Sequence, residues 1–477
     1  MKNILFVTSE CTPFIKTGGL ADVSGSLPQA LQEHGGMEVR VMLPLYDEID
    51  SSWKDQFEFV CAFTVSLGWR EQTAELYRYR YNDVTYYFIG NDYYFTRKGV
   101  YGYYDDGERF VFFSQAIIAS LEYIDFIPSV LHAHDWQTGI AVALAKIYQP
   151  IEELITVFTI HNIYYQGTMP LATFDDFFQL GREHLAGMEW NQMINSLKSG
   201  IFHADKITTV SPTYAEEILT PYYGAGLEEM LWNRREDLIG VLNGIDLKDY
   251  NPAIDKSLPV NYRSARSKKI ENRKLLYEEI GLNLKDGVPL YIMVTRLVEQ
   301  KGIHLVQRIL EEFLQEDIQL IVLGNGEQEF EYYFKDIEYR YPDKMITHLH
   351  FNESLARRLY ASADFLLMPS KFEPCGLSQL IALQYKTVPI VRETGGLKDT
   401  VIAFNEITGE GNGFRFANYN AHELLHVLKY SLEIYQQPSL WSVLIKNVNK
   451  SKFSWKDSAS AYADVYQQLD ASSVSYK

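Results

Sequence analysis

Cysteine is scarce: Cys11, Cys61 and Cys375 are the only three in 477 residues. They are odd in number, far apart and form no CxxC pair. That argues against a disulfide framework and a zinc ribbon, and it suits a reducing compartment. Long apolar runs are missing as well. Met1–Glu10 carries one lysine and an apolar core too short for a secretory leader or a bilayer span. No later run reaches ~18 uninterrupted apolar residues. The expectation is a cytoplasmic protein with no membrane partner. Positive charge is in deficit, with 44 Lys and Arg against 62 Asp and Glu and a net charge of −18. Such a surface repels polyphosphate backbones, so nucleic acid is not an expected partner. Any anionic ligand must then be met by a few concentrated cations.

What is present reads as two α/β domains. Short apolar, β-branched runs alternate with helical stretches. In the first half they fall at Asn3–Thr8, Val39–Leu43, Ser129–His132, Thr156–Ile160, Lys206–Val210 and Leu238–Leu242. In the second half they fall at Leu290–Thr295, Gln319–Leu323, Thr347–His350, Asp364–Met368 and Val388–Val391. Runs apolar on both faces and separated by helices predict parallel sheets covered on both sides. The expected boundaries are a first domain over 1–246, a linker over 247–262, a second domain over 263–456 and a closing segment over 457–477. The linker is read from Asn251-Pro252 and Pro259, which interrupt any helical period. The tyrosines between Tyr77 and Tyr104 read equally well as a sugar-stacking surface or as tyrosine-rich strands.

Several loops at predicted strand ends carry chemistry. Lys16-Thr17-Gly18-Gly19 opens a helix, and its motif recurs as Glu393-Thr394-Gly395-Gly396. Glycine lets backbone approach a phosphate, and the free N–H groups of a helix start point at it. The loop is neither a Walker A sequence nor GxGxxG. Arg296 and Lys301 lie five residues apart on one loop and can close on a diphosphate. Glu373 sits in a Pro/Gly-punctuated loop with Cys375, Gly376 and Leu377, where a buried carboxylate calls for a polar partner. His132, His134 and Asp135 end one predicted strand, and His161 with Asn162 ends the next. No third or fourth ligand accompanies the two histidines at metal spacing. His422-Glu423-Leu424-Leu425-His426 matches HExxH, but Asn420 is a good N-cap and no third ligand follows, so it reads as an amphipathic helix.

Taken together, KTGGLADV, HAHDW, THN, the Arg-x4-Lys-Gly loop and EPCGL occur in an order that resembles the bacterial glycogen synthase and plant starch synthase family. The resemblance runs from Ile4 to the Phe453-Ser454-Trp455 stretch. It implies a GT-B fold: two Rossmann-like, doubly wound domains facing across a cleft, with a C-terminal helix crossing back to the first. It also implies retaining transfer of glucose from ADP-glucose to the non-reducing end of an α-1,4-glucan such as glycogen. By the same resemblance, Lys16 and the Gly18 and Gly19 amides hold the donor diphosphate, and Arg296 and Lys301 clamp it. His161 contacts the glucose and Asp135 lies on its acceptor side. Glu373, Cys375, Gly376 and Leu377 line the sugar pocket with Gly395 and Gly396 nearby, and Asn243 supports its hinge side. Phe351 stands where the family stacks the base, often on a tyrosine. A second glutamate eight residues beyond Glu373 is absent, and Ile381 takes its place.

No carboxylate pair at nucleophile spacing is visible, so same-face departure and attack is the expected route to retention. No DxD pair occurs, so side-chain cations stand in for a metal, and no cofactor is expected. A glucan phosphorylase would need a pyridoxal-phosphate lysine, for which no site is apparent. An epimerase has no use for HAHDW together with EPCGL. A noncatalytic binder has no reason to keep Lys16, Arg296, Lys301 and Glu373 together.

Overall fold

A computed structural model describes residues 2–474, with side chains to 469. The chain divides into two compact units, one of Met1–Asn243 with Trp455–Lys477 and the other of Gly244–Ser454.

The first unit is built on a nine-stranded sheet. Its strands are β1 (Lys2–Val7), β2 (Met37–Pro44), β3 (Glu58–Leu67), β4 (Arg70–Tyr81), β5 (Val84–Gly90), β6 (Val130–His134), β7 (Ile155–Ile160), β8 (Lys206–Thr209) and β9 (Leu238–Gly240). Their order is β9-β8-β7-β6-β1-β2-β5-β4-β3. The central strands are parallel and buried, Ile4 to Val7 completely so. The strand order reverses direction at β1, between β6 and β2. In open parallel sheets such a reversal opens a crevice beyond the carboxyl ends of the strands.

The antiparallel hairpin β3–β4 departs from the all-parallel expectation. Its burial alternates, and Gly68 at φ 56° makes the tight turn. The tyrosines at 77, 79, 81, 86 and 87 fall in β4 and β5. Tyr79, Tyr81 and Tyr86 surround the ring of Phe14 edge-on, together with Trp53, Phe57 and Phe88. The tyrosine-rich stretch is therefore mainly an aromatic core beneath strands.

The second unit carries a wholly parallel six-stranded sheet. Its strands are β10 (Leu290–Val294), β11 (Gln319–Leu323), β12 (Met345–His348), β13 (Phe365–Met368), β14 (Val388–Arg392) and β15 (Phe414–Phe416), in the order β12-β11-β10-β13-β14-β15. Here the reversal falls between β10 and β13. The segment 247–262, read from sequence as a linker, packs into this unit. Leu258 and Tyr262 are buried, and the Tyr262 hydroxyl donates to the Tyr385 carbonyl at 2.7 Å.

The last helix, Trp455–Val474, returns to the first unit and lies on the helix Gly19–His34. It buries Tyr462 and Tyr466, and the Ser458 hydroxyl donates to the Leu242 carbonyl at 2.6 Å. Tyr466 Oη meets His132 Nδ1 at 2.7 Å, at the buried end of β6. Removing one partner of a buried hydrogen bond costs about 1–3 kcal/mol. Tyr466→Phe should therefore lower unfolding free energy by roughly 1–2 kcal/mol in urea titration. An unchanged midpoint would show that this bond does not hold the helix.

Candidate functional site

In the first unit, three strand ends beside the reversal carry polar side chains. The loop after β1 brings Glu10 round to the start of the helix Gly19–His34. The Glu10 carboxylate accepts from the Thr17 amide at 2.6 Å, the Gly18 amide at 3.0 Å and the Thr17 hydroxyl at 2.9 Å. Tyr101 Oη lies 3.2 Å from its other oxygen. A buried side chain thus already engages the Gly18 amide, and sequence reasoning did not single it out. The Gly19 amide has no acceptor among the described residues. Gly18 is extended at φ −153°, and a Cβ added there would meet nothing within 4 Å, so neither strain nor packing calls for glycine. Lys16 is exposed and pairs with Asp22 at 2.8 Å.

Asp135 follows β6 with φ 55° and ψ −177°, a conformation non-glycine residues avoid. Such strain costs about 1–3 kcal/mol and persists only where surroundings enforce it. The enforcing bonds are on hand. The Asp135 amide donates to the Thr159 carbonyl at 2.9 Å, and its Oδ1 accepts from the His161 amide at 2.7 Å and the Asn162 amide at 3.3 Å. Burial pushes the Asp135 carboxyl up to about 7 against those two amides, and the Glu10 charge adds to the push.

His132 and His134 are completely buried, and His161 is half-buried. His132 is satisfied on both ring nitrogens, by Tyr466 and by Thr159 Oγ1 at 2.7 Å. His134 Nδ1 meets His161 Nε2 at 2.9 Å. Burial holds His132 and His161 down to about 3 and His134 well below the usual imidazole range, so all three are neutral at physiological pH. Asn243 is buried with its side-chain oxygen unpartnered among the described residues.

In the second unit, the loops after β10, β13 and β14 interlock through glycine. Gly302 has φ 73°, and a Cβ there would lie 2.0 Å from the Pro369 carbonyl oxygen. Gly395 has φ 44°, and its Cβ would lie 2.0 Å from the Glu373 carbonyl oxygen. A Cβ added at Gly396 would lie 2.2 Å from the Cys375 carbonyl oxygen, and the Gly396 amide donates to the Pro374 carbonyl at 3.1 Å. Gly376 turns at φ 71°, and Leu377 caps the helix Ser378–Gln384. These close approaches bring Lys301 Nζ to 2.6 Å from Glu373 Oε2, which also accepts from the Ser370 hydroxyl at 2.9 Å. Cys375 is buried alongside. Arg296 is exposed and has no carboxylate partner among the described residues. Phe351 is 73% exposed just beyond β12, two strands from β10.

Some motifs stand apart from these clusters. His422 and Glu423 open the helix Ala421–Tyr435, where their amides donate to Asn420 Oδ1 at 2.9 and 3.2 Å. Among the described residues no group of three or more His, Cys, Asp or Glu could hold a metal ion. No helix among them is long and apolar enough to cross a membrane.

Two Rossmann-like, mainly parallel sheets, each with glycine loops and charged side chains at its strand reversal, fit the GT-B fold of glycosyltransferases. The family described as "Starch synthase catalytic domain" matches residues 3–233, and "Glycosyl transferases group 1" matches 278–447. The chain is 99% identical to a glycogen synthase of Oceanobacillus iheyensis over the full length of both. It is 46% identical to a glycogen synthase of Bacillus subtilis, over 98% of each chain. In structure it is similar to the catalytic domain of starch synthase IV from Arabidopsis thaliana bound to ADP and acarbose. That match has a TM-score of 0.89 and 30% identity, over 98% of this chain and 99% of that one. The chain belongs to the glycogen synthase and starch synthase family.

The raised Asp135 carboxyl makes a pH prediction. An unfolded Asp loses its proton near 3.9, whereas the folded group keeps it up to about 7. Between those values the folded state binds more protons, so stability falls as pH rises through the window. The stability of the wild type relative to Asp135→Asn should decline from about pH 4 to about pH 7 and then level off. A pH-independent difference in urea unfolding would overturn this reading of the carboxyl.

Proposed function

We propose that this glycosyltransferase acts in the cytoplasm and moves glucose from ADP-glucose to the non-reducing end of an α-1,4-glucan, with retention and release of ADP. The bond from glucose C1 to the β-phosphate oxygen breaks, and C1 bonds to the acceptor 4-oxygen on the same face. The acceptor proton passes to the departing phosphate. The observation that carries this reading is the Lys301–Glu373 pair at the β10/β13 reversal, with Arg296, which has no carboxylate partner among the described residues, on the same loop as Lys301. A diphosphate gaining charge is an attractive partner for both cations, and preorganised cations are among the larger contributions to such catalysis. Drawing Lys301 toward phosphate frees Glu373 to accept glucose hydroxyls.

The first unit supplies comparable groups. Lys16 and the Gly19 amide, which has no acceptor among the described residues, suit a phosphate, and a Cβ added at Gly18 would meet nothing within 4 Å. His161 suits a glucose hydroxyl and Asp135 the acceptor side. Asn243 offers a side-chain oxygen that has no partner among the described residues. Cys375, Gly376, Leu377, Gly395 and Gly396 form the sugar pocket, and the exposed face of Phe351 receives the adenine. No cofactor or metal is assigned a role.

Transfer of labelled glucose to glycogen, from ADP-glucose and from UDP-glucose in chelator, tests the reading. Chelator-resistant incorporation from ADP-glucose is expected. Incorporation from UDP-glucose alone would overturn the base assignment at Phe351, and none from either donor would overturn the function.

Lys301→Ala and Glu373→Ala should each lower kcat by about 100-fold or more. Each also orphans a partly buried charge, at about 3–5 kcal/mol. The double variant removes both charges, so it should fold at least as well as either single variant and stay inactive. Near-normal turnover in any of the three would overturn these roles.

A further inference from the structure

The contact between His134 and His161 has a direction, and the unpartnered edge of His134 sets it. His134 Nδ1 lies 2.9 Å from His161 Nε2, so one neutral ring donates and the other accepts. The other His134 nitrogen, Nε2, is buried and has no partner among the described residues. The His134 ring packs against Phe6, with centroids 3.9 Å apart and a 33° tilt, and against His132, 4.3 Å apart with a 36° tilt.

Two tautomer pairs remain. If His161 donated, His134 would carry its proton on Nε2 as a buried N–H with no acceptor. If His134 donates, its proton lies on Nδ1 in a hydrogen bond, and only a bare lone pair is left at Nε2. Orphaned buried N–H groups are the rarer arrangement, and an unsatisfied donor bears the full cost of its desolvation. The second pair is therefore favoured. In it His161 receives on Nε2, so its own proton is placed on Nδ1. That nitrogen has no partner among the described residues, and the ring is half-buried.

We propose that His134 is a positioning residue that donates to His161 and fixes it as the Nδ1–H tautomer, so that His161 acts toward substrate as a hydrogen-bond donor and not as a base. The arrangement is braced at both ends of the residue. Asp135 holds the His161 amide, His134 holds its ring, and the register pairing His134 with Thr159 across β6 and β7 brings the two segments together. A donor suits an electronegative sugar or phosphate oxygen. The neutral ring also leaves the acceptor proton to the departing phosphate. This role toward substrate rests on the glucosyl-transfer reading above, whereas the tautomer itself does not.

The full chain labelled with 15N in its histidine rings tests the tautomer directly. Long-range 1H–15N correlations should show His161 protonated on Nδ1 and bare on Nε2, with the signal assigned by its loss in His161→Gln. A His161 ring protonated on Nε2 would overturn the proposal even if transfer is normal. Normal NMR with no glucose transfer by the wild type would instead overturn the function and leave the tautomer standing.

Two variants add an activity readout. In His134→Asn, the side-chain amide can donate from about the place of Nδ1, so it should keep the His161 tautomer and most of kcat. His134→Leu fills the space without donating. It should release the tautomer and lower kcat about tenfold, the scale of one lost hydrogen bond, with the KM for ADP-glucose little changed. Equal losses in both variants would show that His134 is merely structural.

Discussion

Parallel pairing is the constraint on which the rest of the molecule depends. A parallel strand must be followed by a crossover that returns the chain to its starting edge, so every carboxyl end of a sheet emerges on one side. Where the strand order reverses, neighbouring crossovers leave for opposite faces and the loops part. The reversal beside β1 gathers Glu10, Lys16, His134, Asp135 and His161. The reversal between β10 and β13 gathers Arg296, Lys301 and Glu373. Residues tens of positions apart become neighbours because of sheet order, and the buried apolar strands supply the rigidity that holds them.

On this frame the charges arrive already compensated. Lys301 is paired with Glu373, Lys16 with Asp22, and the amides of Thr17 and Gly18 with Glu10. A protein of net charge −18 would otherwise concentrate exposed cations in a negative field. Internal carboxylates satisfy those donors while leaving each able to exchange partners. Such exchange favours ligands that bring more negative charge than one carboxylate does, as a diphosphate does. Arg296 stands outside the scheme: it is exposed and has no carboxylate partner among the described residues.

Much of this was legible in the sequence because it lies in local patterns. Apolar runs marked eleven strands to within a few residues, and the glycine and charge motifs at their ends lie at the carboxyl ends of both sheets. The hairpin β3–β4 was not read, although Gly68 between two alternating runs is the usual turn signal. Its outward face, polar in β3 and charged in β4, breaks the apolar continuity that marks the other strands. The prolines of 247–262 suggested a linker, but Leu258 and Tyr262 are buried in the second unit, since irregular chain can cover a core as well as join two. Glu10 escaped because a carboxylate seven residues before an amide it accepts from has no periodic signature. His134 and His161 were each noticed, yet their contact depends on the β6–β7 register, which spacing does not encode.

The strain at Asp135 connects the two levels. A residue at φ 55° destabilises the fold, and a glycine would relieve it. Glycine would also remove the carboxylate that fixes the His161 and Asn162 amides. The strained backbone lets β6 end and the next helix begin at one residue while that residue's side chain reaches the end of β7. The Asp135 amide bond to Thr159 and the Tyr466–His132–Thr159 chain brace this corner from beneath, tying it to the C-terminal helix. The helix that closes the chain therefore does more than cover apolar surface. It completes the hydrogen bonds of the buried His132, two residues before His134 on the same strand.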